Sequence, residues 1–174
     1  MYPGLHAAAR ANQPAFIMAQ SGESVTYAEL EARSNRLAHL LRSLGLKRLD
    51  HYAMFMENNP RFIECCAAGE RSGLYYTAIN SFLTPKEVAY MVNNSLSQAL
   101  ITSQAMRETA LAAARDCPDV KLVLIVDGPG EGERILNLDE ATSRLPSITS
   151  AGSTVAEAMG ASMWVSILID PPVT

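Results

Sequence analysis

Cysteine is scarce in this chain: its 174 residues hold three, Cys65, Cys66 and Cys117, with no paired CxxC spacing. Two adjacent thiols make poor disulfide geometry, so a disulfide framework is excluded and reduced thiols in the cytoplasm are expected. An excess of one charge is lacking too. With 14 basic and 18 acidic residues, the formal net charge of −4 offers no basic field for nucleic acid or an anionic membrane, and neither partner is expected. No apolar run approaches the ~18 residues of a membrane span, and no charged region leads into an apolar stretch at the N-terminus as in a secretory signal. What is present, 48% hydrophobic against 18% charged residues, suffices for one globular domain. At this length such a domain buries roughly 70% of its unfolded surface.

The apolar pattern alternates between strand and helix. Residues 5–11 read as a short helix, and residues 15–18 and 23–25 flank Ser21-Gly22 as a small hairpin. Thr26 then opens a helix, with Glu29 three residues on to complete a capping box. Leu30, Leu37, Leu41 and Leu44 form its apolar stripe, Glu31, Arg33, Arg36 and Arg42 are expected to face away, and Gly45 ends it. Residues 51–56 are extended, and Asn59 precedes a proline-led helix expected to bury Phe62, Ile63, Cys66 and Ala67. Gly73 ends that helix, residues 74–79 form the next strand, and Thr84-Pro85-Lys86-Glu87 repeats the capping pattern with Val88, Met91 and Val92 inward. Strands at 99–102 and 120–126 enclose an alanine-rich helix at 104–115, the second strand reading as central. After Asp127 come a polar turn at 128–133, a short helix at 138–145, a Ser/Thr/Gly-rich connection at 146–154 and a possible last strand at 163–169. The fold class implied is α/β, a mainly parallel sheet with helices on both faces. No internal repeat is present.

Few residues have the spacing of a chemical site. Gly128, Gly130 and Gly132 follow a strand, but the third glycine of a dinucleotide fingerprint would fall at Glu133, and no long helix follows; a surface turn is expected. His6, His39 and His51 are scattered without metal-ligand spacing, and Cys65-Cys66 lies mid-helix, where no helix N-terminus lowers a thiol pKa. Tyr75-Tyr76-Thr77 and Asn80-Ser81 stand at a strand end, the favoured place for sites in parallel sheets, though packing and turn roles suffice for them. The residues therefore assign no catalytic, cofactor-binding or metal-ligating position.

Six ordered blocks carry more than their pattern: Thr26-Tyr27-Ala28-Glu29-Leu30, Ser34-Asn35-Arg36-Leu37-Ala38, Glu57-Asn58-Asn59, Arg71-Ser72-Gly73-Leu74-Tyr75-Tyr76, Asn80-Ser81-Phe82-Leu83-Thr84 and Glu87-Val88-Ala89-Tyr90. Together they resemble the N-terminal part of the adenylate-forming enzymes, most closely the fatty-acyl-CoA ligases, over residues 5–163 and roughly a third of such an enzyme. The resemblance implies a reaction in which a fatty acid and ATP form an acyl-adenylate that CoA then intercepts. It implies ATP, magnesium and CoA for the full-length family, none of them bound by this chain. The family's Ser/Thr/Gly-rich phosphate loop would follow Met163, where this chain reads Trp164-Val165-Ser166-Ile167-Leu168-Ile169-Asp170-Pro171-Pro172, as a frameshift or deletion would leave it. Leu49 stands where the family usually has glycine, which puts a tight turn in question.

The expectation is an incomplete N-terminal portion of the adenylate-forming ligase fold at 1–162 with a divergent tail at 163–174: a truncated fatty-acid–CoA ligase, inactive alone. The alternative is a non-catalytic interaction module that pairs with a full-length relative or another protein partner through an open sheet edge.

Overall fold

A computed structural model describes residues 4–147, and the strand expected at 163–169, like the divergent tail, lies outside the described residues. The chain begins with helix α1 (Gly4–Arg10) and the antiparallel pair β1 (Pro14–Ile17) and β2 (Ser24–Thr26), joined through Gly22 at φ 73°. Helix α2 (Tyr27–Ser43) starts with the expected capping box: the Thr26 hydroxyl accepts from the Glu29 amide at 3.2 Å, and the Glu29 carboxylate accepts from the Thr26 amide at 2.9 Å. The Thr26 amide and, at 2.8 Å, the Thr26 hydroxyl both donate to that carboxylate and hold it below its ordinary range. Gly45, at φ 85°, lets the chain leave the helix.

Five strands and four helices follow in turn: β3 (His51–Phe55), α3 (Arg61–Ser72), β4 (Tyr75–Ile79), α4 (Pro85–Asn94), β5 (Ser97–Ser103), α5 (Arg107–Ala114), β6 (Leu122–Val126), β7 (Ile135–Asn137) and α6 (Leu138–Thr142). The strands form one sheet in the order β4-β3-β5-β6-β7, and every pairing in it is parallel. Alternate strand residues supply two cores. Tyr52, Met54, Ile101 and Leu124 pack under α2, α3 and α6, whereas Ala53, Phe55, Leu100 and Ile125 pack under α4 and α5. β6, whose five residues are all buried, lies inside the sheet as its unbroken apolar run requires.

Several local readings are corrected. Glu31 does not face solvent: it is 1% exposed because the guanidinium of Arg71, forty residues on, pairs with it. In α3 the buried set is Glu64, Cys65, Ala67, Ala68, Gly69 and Ser72, while Ile63 is 45% exposed and Cys66 half-buried. Ala67 is buried and Phe62 and Cys66 pack against the core as expected, so Ile63 alone of the four lies outside, and Arg61, 3.1 Å from Glu64, makes burial of that carboxylate tolerable. β7 is a strand that residue pattern does not announce; three residues ending in asparagine become one through pairing with β6. The turn at Leu49 is kept. Leu49 adopts φ 74° where glycine would be at ease, and its amide donates to the Gly73 carbonyl at 2.8 Å.

Candidate functional site

Parallel strands send their carboxyl ends, and the loops that carry chemistry, to one side of a sheet. Four polar side chains converge there. Glu57 follows β3, Ser103 ends β5, Asp127 follows β6, and Asn59 stands just before α3. The Ser103 hydroxyl donates to Glu57 Oε2. The Asn59 amide nitrogen donates to Asp127 Oδ2 at 2.7 Å and to Glu57 Oε1 at 3.3 Å, while its Oδ1 accepts from the Arg61 amide at 2.9 Å. Asn59 thus ties the ends of β3 and β6 to the first turn of α3, and Glu57 adds the end of β5 through Ser103. Burial pushes the Glu57 carboxyl up, but hydrogen bonds from Ser103, its own backbone and Asn59 outweigh this and leave it below the usual range. Asp127 sits at φ 59°, a conformation aspartate tolerates better than most residues.

This arrangement accepts hydrogen bonds and presents two carboxylates. It can orient a hydroxyl or amine donor, but it repels a polyanion. Arg107 at the start of α5 does not offset that charge, because its guanidinium donates to the Pro129 carbonyl at 2.5 Å and to Glu131 at 3.0 Å. Among the described residues, no group of three or more His, Cys, Asp or Glu side chains could hold a metal ion.

Beside these strand ends runs an open groove of about 420 Å³, lined by Gly130, Glu131, Ile135, Asn137, Glu140 and Ala141 among others. The glycines expected to form a surface turn do so. A Cβ on Gly130 would stand 2.8 Å from the Asn137 nitrogen and the Ile135 oxygen, so glycine there serves close packing, and Asn137 Nδ2 donates to the Gly128 carbonyl at 2.7 Å. Two glutamates on the groove again disfavour phosphate.

The structure does not bring the remaining flagged residues together. His6 packs against Tyr27 and His51 against Tyr75, at ring-centroid distances of 5.4 and 5.1 Å. His39 lies on α2, where burial and the charges of Arg42 and Arg71 lower its pKa. Cys65, Cys66 and Cys117 are free thiols, each pushed up chiefly by burial and so poor nucleophiles. Tyr75 and Tyr76 begin β4, which places them at the amino end of the sheet, away from the cluster. Asn80 does lie at the carboxyl end, but its Oδ1 is occupied by the Phe82 amide at 3.0 Å. No sequence motif marks Ser103 or Asp127. Taking the first residue after each expected strand, 99–102 and 120–126, would have found both.

A second polar cluster ties the start of α3 to α6. Arg61 bridges Glu64 at 3.1 Å and Asp139 at 2.5 Å. Burial pushes the Glu64 carboxyl up to about 7 against the opposing pull of Arg61, Arg33 and Arg36.

The family model described as AMP-binding enzyme matches residues 5–159. A 4-coumarate–CoA ligase from Humulus lupulus is 30% identical over 131 residues, 75% of this chain and 24% of that enzyme. A long-chain-fatty-acid–CoA ligase from Salmonella typhimurium is 37% identical over 98 residues, 55% of this chain and 17% of the enzyme. The solved structure of an anthranilate–CoA ligase in complex with anthranoyl-AMP matches with a TM-score of 0.76 at 18% identity, over 87% of this chain and 29% of that one, a likeness of fold. The chain spans about a quarter, or less, of the length of these curated relatives.

Proposed function

This chain belongs to the AMP-binding enzyme family, and we propose that it forms the first parallel sheet of an ATP-dependent acid–CoA ligase and does not activate an acid by itself. In the reaction this implies, a carboxylate attacks the α-phosphorus of ATP to give acyl-adenylate and pyrophosphate. The CoA thiol then displaces AMP to give acyl-CoA. ATP and magnesium supply the leaving group and its charge neutralisation.

The observation that carries the second half of the proposal is the pair Glu57 and Asp127, held across Asn59 at the strand carboxyl ends. Positions where a triphosphate cradle would need cations or free backbone amides present carboxylates instead, so the residues described do not fit that group. No chemical step is assigned to them. Their part is to hold the strand ends in register.

A fatty acid is the first substrate to try, on the strength of the sequence blocks from Thr26 to Tyr90 and the 37% identical relative. Relatives acting on coumarate and anthranilate place aromatic acids beside it in the trial. Among the described residues no helix is long and apolar enough to cross a membrane, and three free thiols suit the reducing cytoplasm, where we place the chain. The test is ATP–pyrophosphate exchange by the purified chain with long-chain fatty, coumaric and anthranilic acids. Exchange should stay at the no-enzyme rate; turnover at the pace of a whole ligase would overturn the proposal.

A further inference from the structure

We infer that Arg61 is a latch between α3 and α6 whose grip changes with pH: it holds α6 in place while Glu64 is protonated and loosens it once Glu64 ionises.

Three side chains form the latch. Glu64 and Arg61, with side chains 5% and 11% exposed, lie one turn apart on α3, and Asp139, 63% exposed, comes from α6. Helix α6 packs on α2, β6 and β7 and reaches α3 through Asp139. The guanidinium is committed unequally. Its Nη2 donates to Asp139 Oδ1 at 2.5 Å, whereas its Nε, 3.1 Å from Glu64 Oε2, is buried without a hydrogen bond. Charge alone ties Glu64 to Arg61, so neutralising Glu64 leaves the bond to α6 in place.

The direction of the effect follows from the charges. With Glu64 neutral, Asp139 faces one cation and the pair is complete. With Glu64 ionised, Asp139 faces that cation with an anion behind it, and its net attraction to α3 shrinks. Arg33 and Arg36 of α2 also face Glu64 and favour its ionised form, while burial keeps the Cys65 thiol and the Tyr52 hydroxyl, both packed under α3, neutral. Burial working against these cations brings the Glu64 carboxyl up to about 7, so the change of grip falls near neutrality. Helix α6 therefore docks more firmly below that pH than above it. One wall of the groove beside β7 moves with it, through Glu140 and Ala141.

Amide exchange and carboxyl titration, both followed by NMR on the full chain, test the two sides of this linkage. The amides of Glu140 and Leu145, which donate to Asn137 Oδ1 and to the Thr142 carbonyl, report on α6. Corrected for intrinsic exchange, their protection should fall about threefold between about pH 5.5 and 8 in the parent and stay flat in Glu64→Gln. The Ser95 amide, which donates to the Met91 carbonyl at the end of α4 on the opposite face of the sheet, should show no such fall. By reciprocity Asp139→Asn should lower the Glu64 pKa by about half a pH unit, which is the same threefold effect. Asp139 is mostly exposed, so that variant alters the latch without disturbing the core. Flat protection in the parent, a fall that persists in Glu64→Gln, an equal fall at Ser95, or a Glu64 pKa unmoved or raised by Asp139→Asn would each overturn the inference.

Discussion

Arg71 of α3 clasps Glu31 of α2 through both of its terminal nitrogens, Nη2 at 2.5 Å from Oε2 and Nη1 at 3.2 Å from Oε1. Asn35 joins them, accepting from Arg71 Nη1 and donating to Glu31 at 3.1 Å. The two ionic side chains are 7% and 2% exposed, so each depends on the other for the solvation it has lost.

Arg71→Met should therefore destabilise the chain by about 3–5 kcal/mol, because Glu31 is left charged and buried. Combining it with Glu31→Leu should restore most of that loss. Urea unfolding of the two variants and the parent decides the point, and equal destabilisation by the single and double variants would contradict it.

Leu49→Gly should raise stability. The present residue holds φ 74° with its side chain 57% exposed, so little packing is lost on removing it. A left-handed conformation costs an L-residue roughly 1–2 kcal/mol, of which the extra unfolded-state freedom of glycine takes back about half. A urea midpoint higher by the equivalent of ~0.5–1 kcal/mol is expected, and an unchanged or lower midpoint would refute the account.

Stability should fall as pH rises from about 4.5 to about 7, through Glu64. Its folded-state pKa, raised to about 7 chiefly by burial, exceeds the ordinary 4.5, so across that window the folded state binds the extra proton. The stabilisation is complete below the unfolded value and gone above the folded one. Glu29, Glu57 and Glu87, all depressed, act with the opposite sign in the acid range. Glu64→Gln isolates the effect: the stability difference between variant and parent should change by about 3 kcal/mol between pH 4.5 and 7, and a constant difference would exclude it.

Thr26→Ala should lower stability by about 1 kcal/mol through loss of the α2 cap, and Thr26→Ser should recover most of it. The depressed pKa of Glu29, whose first cause is the backbone hydrogen bond at Thr26 and whose second is the Thr26 side chain, should rise toward the ordinary value in the alanine variant. NMR titration of the carboxyl reports this directly.

The elements that could be read in advance are those set by neighbours in the chain. Thr26 and Glu29 are three residues apart, as are Thr84 and Glu87, and both boxes form where their spacing places them. Leu122 to Val126, apolar at every position, can only be an inner strand. The candidate site was less legible. Glu57 and Ser103 are 46 residues apart, and Asn59 and Asp127 are 68 apart, so nothing local records that they meet.

What the amino-acid sequence determined by itself is the alternation of strand and helix, the helix caps, the parallel α/β class and the family blocks, because each depends on contacts within a few residues or on ordered side-chain identity. Tertiary structure alone decided that Ile63 of α3 is left exposed, that Glu31 and Glu64 lie inside, that residues 135–137 form a strand, and which polar groups gather at the strand ends. Those outcomes depend on partners supplied from far along the chain. A carboxylate can be buried only where an arginine arrives to meet it, and a three-residue segment becomes a strand only beside another strand.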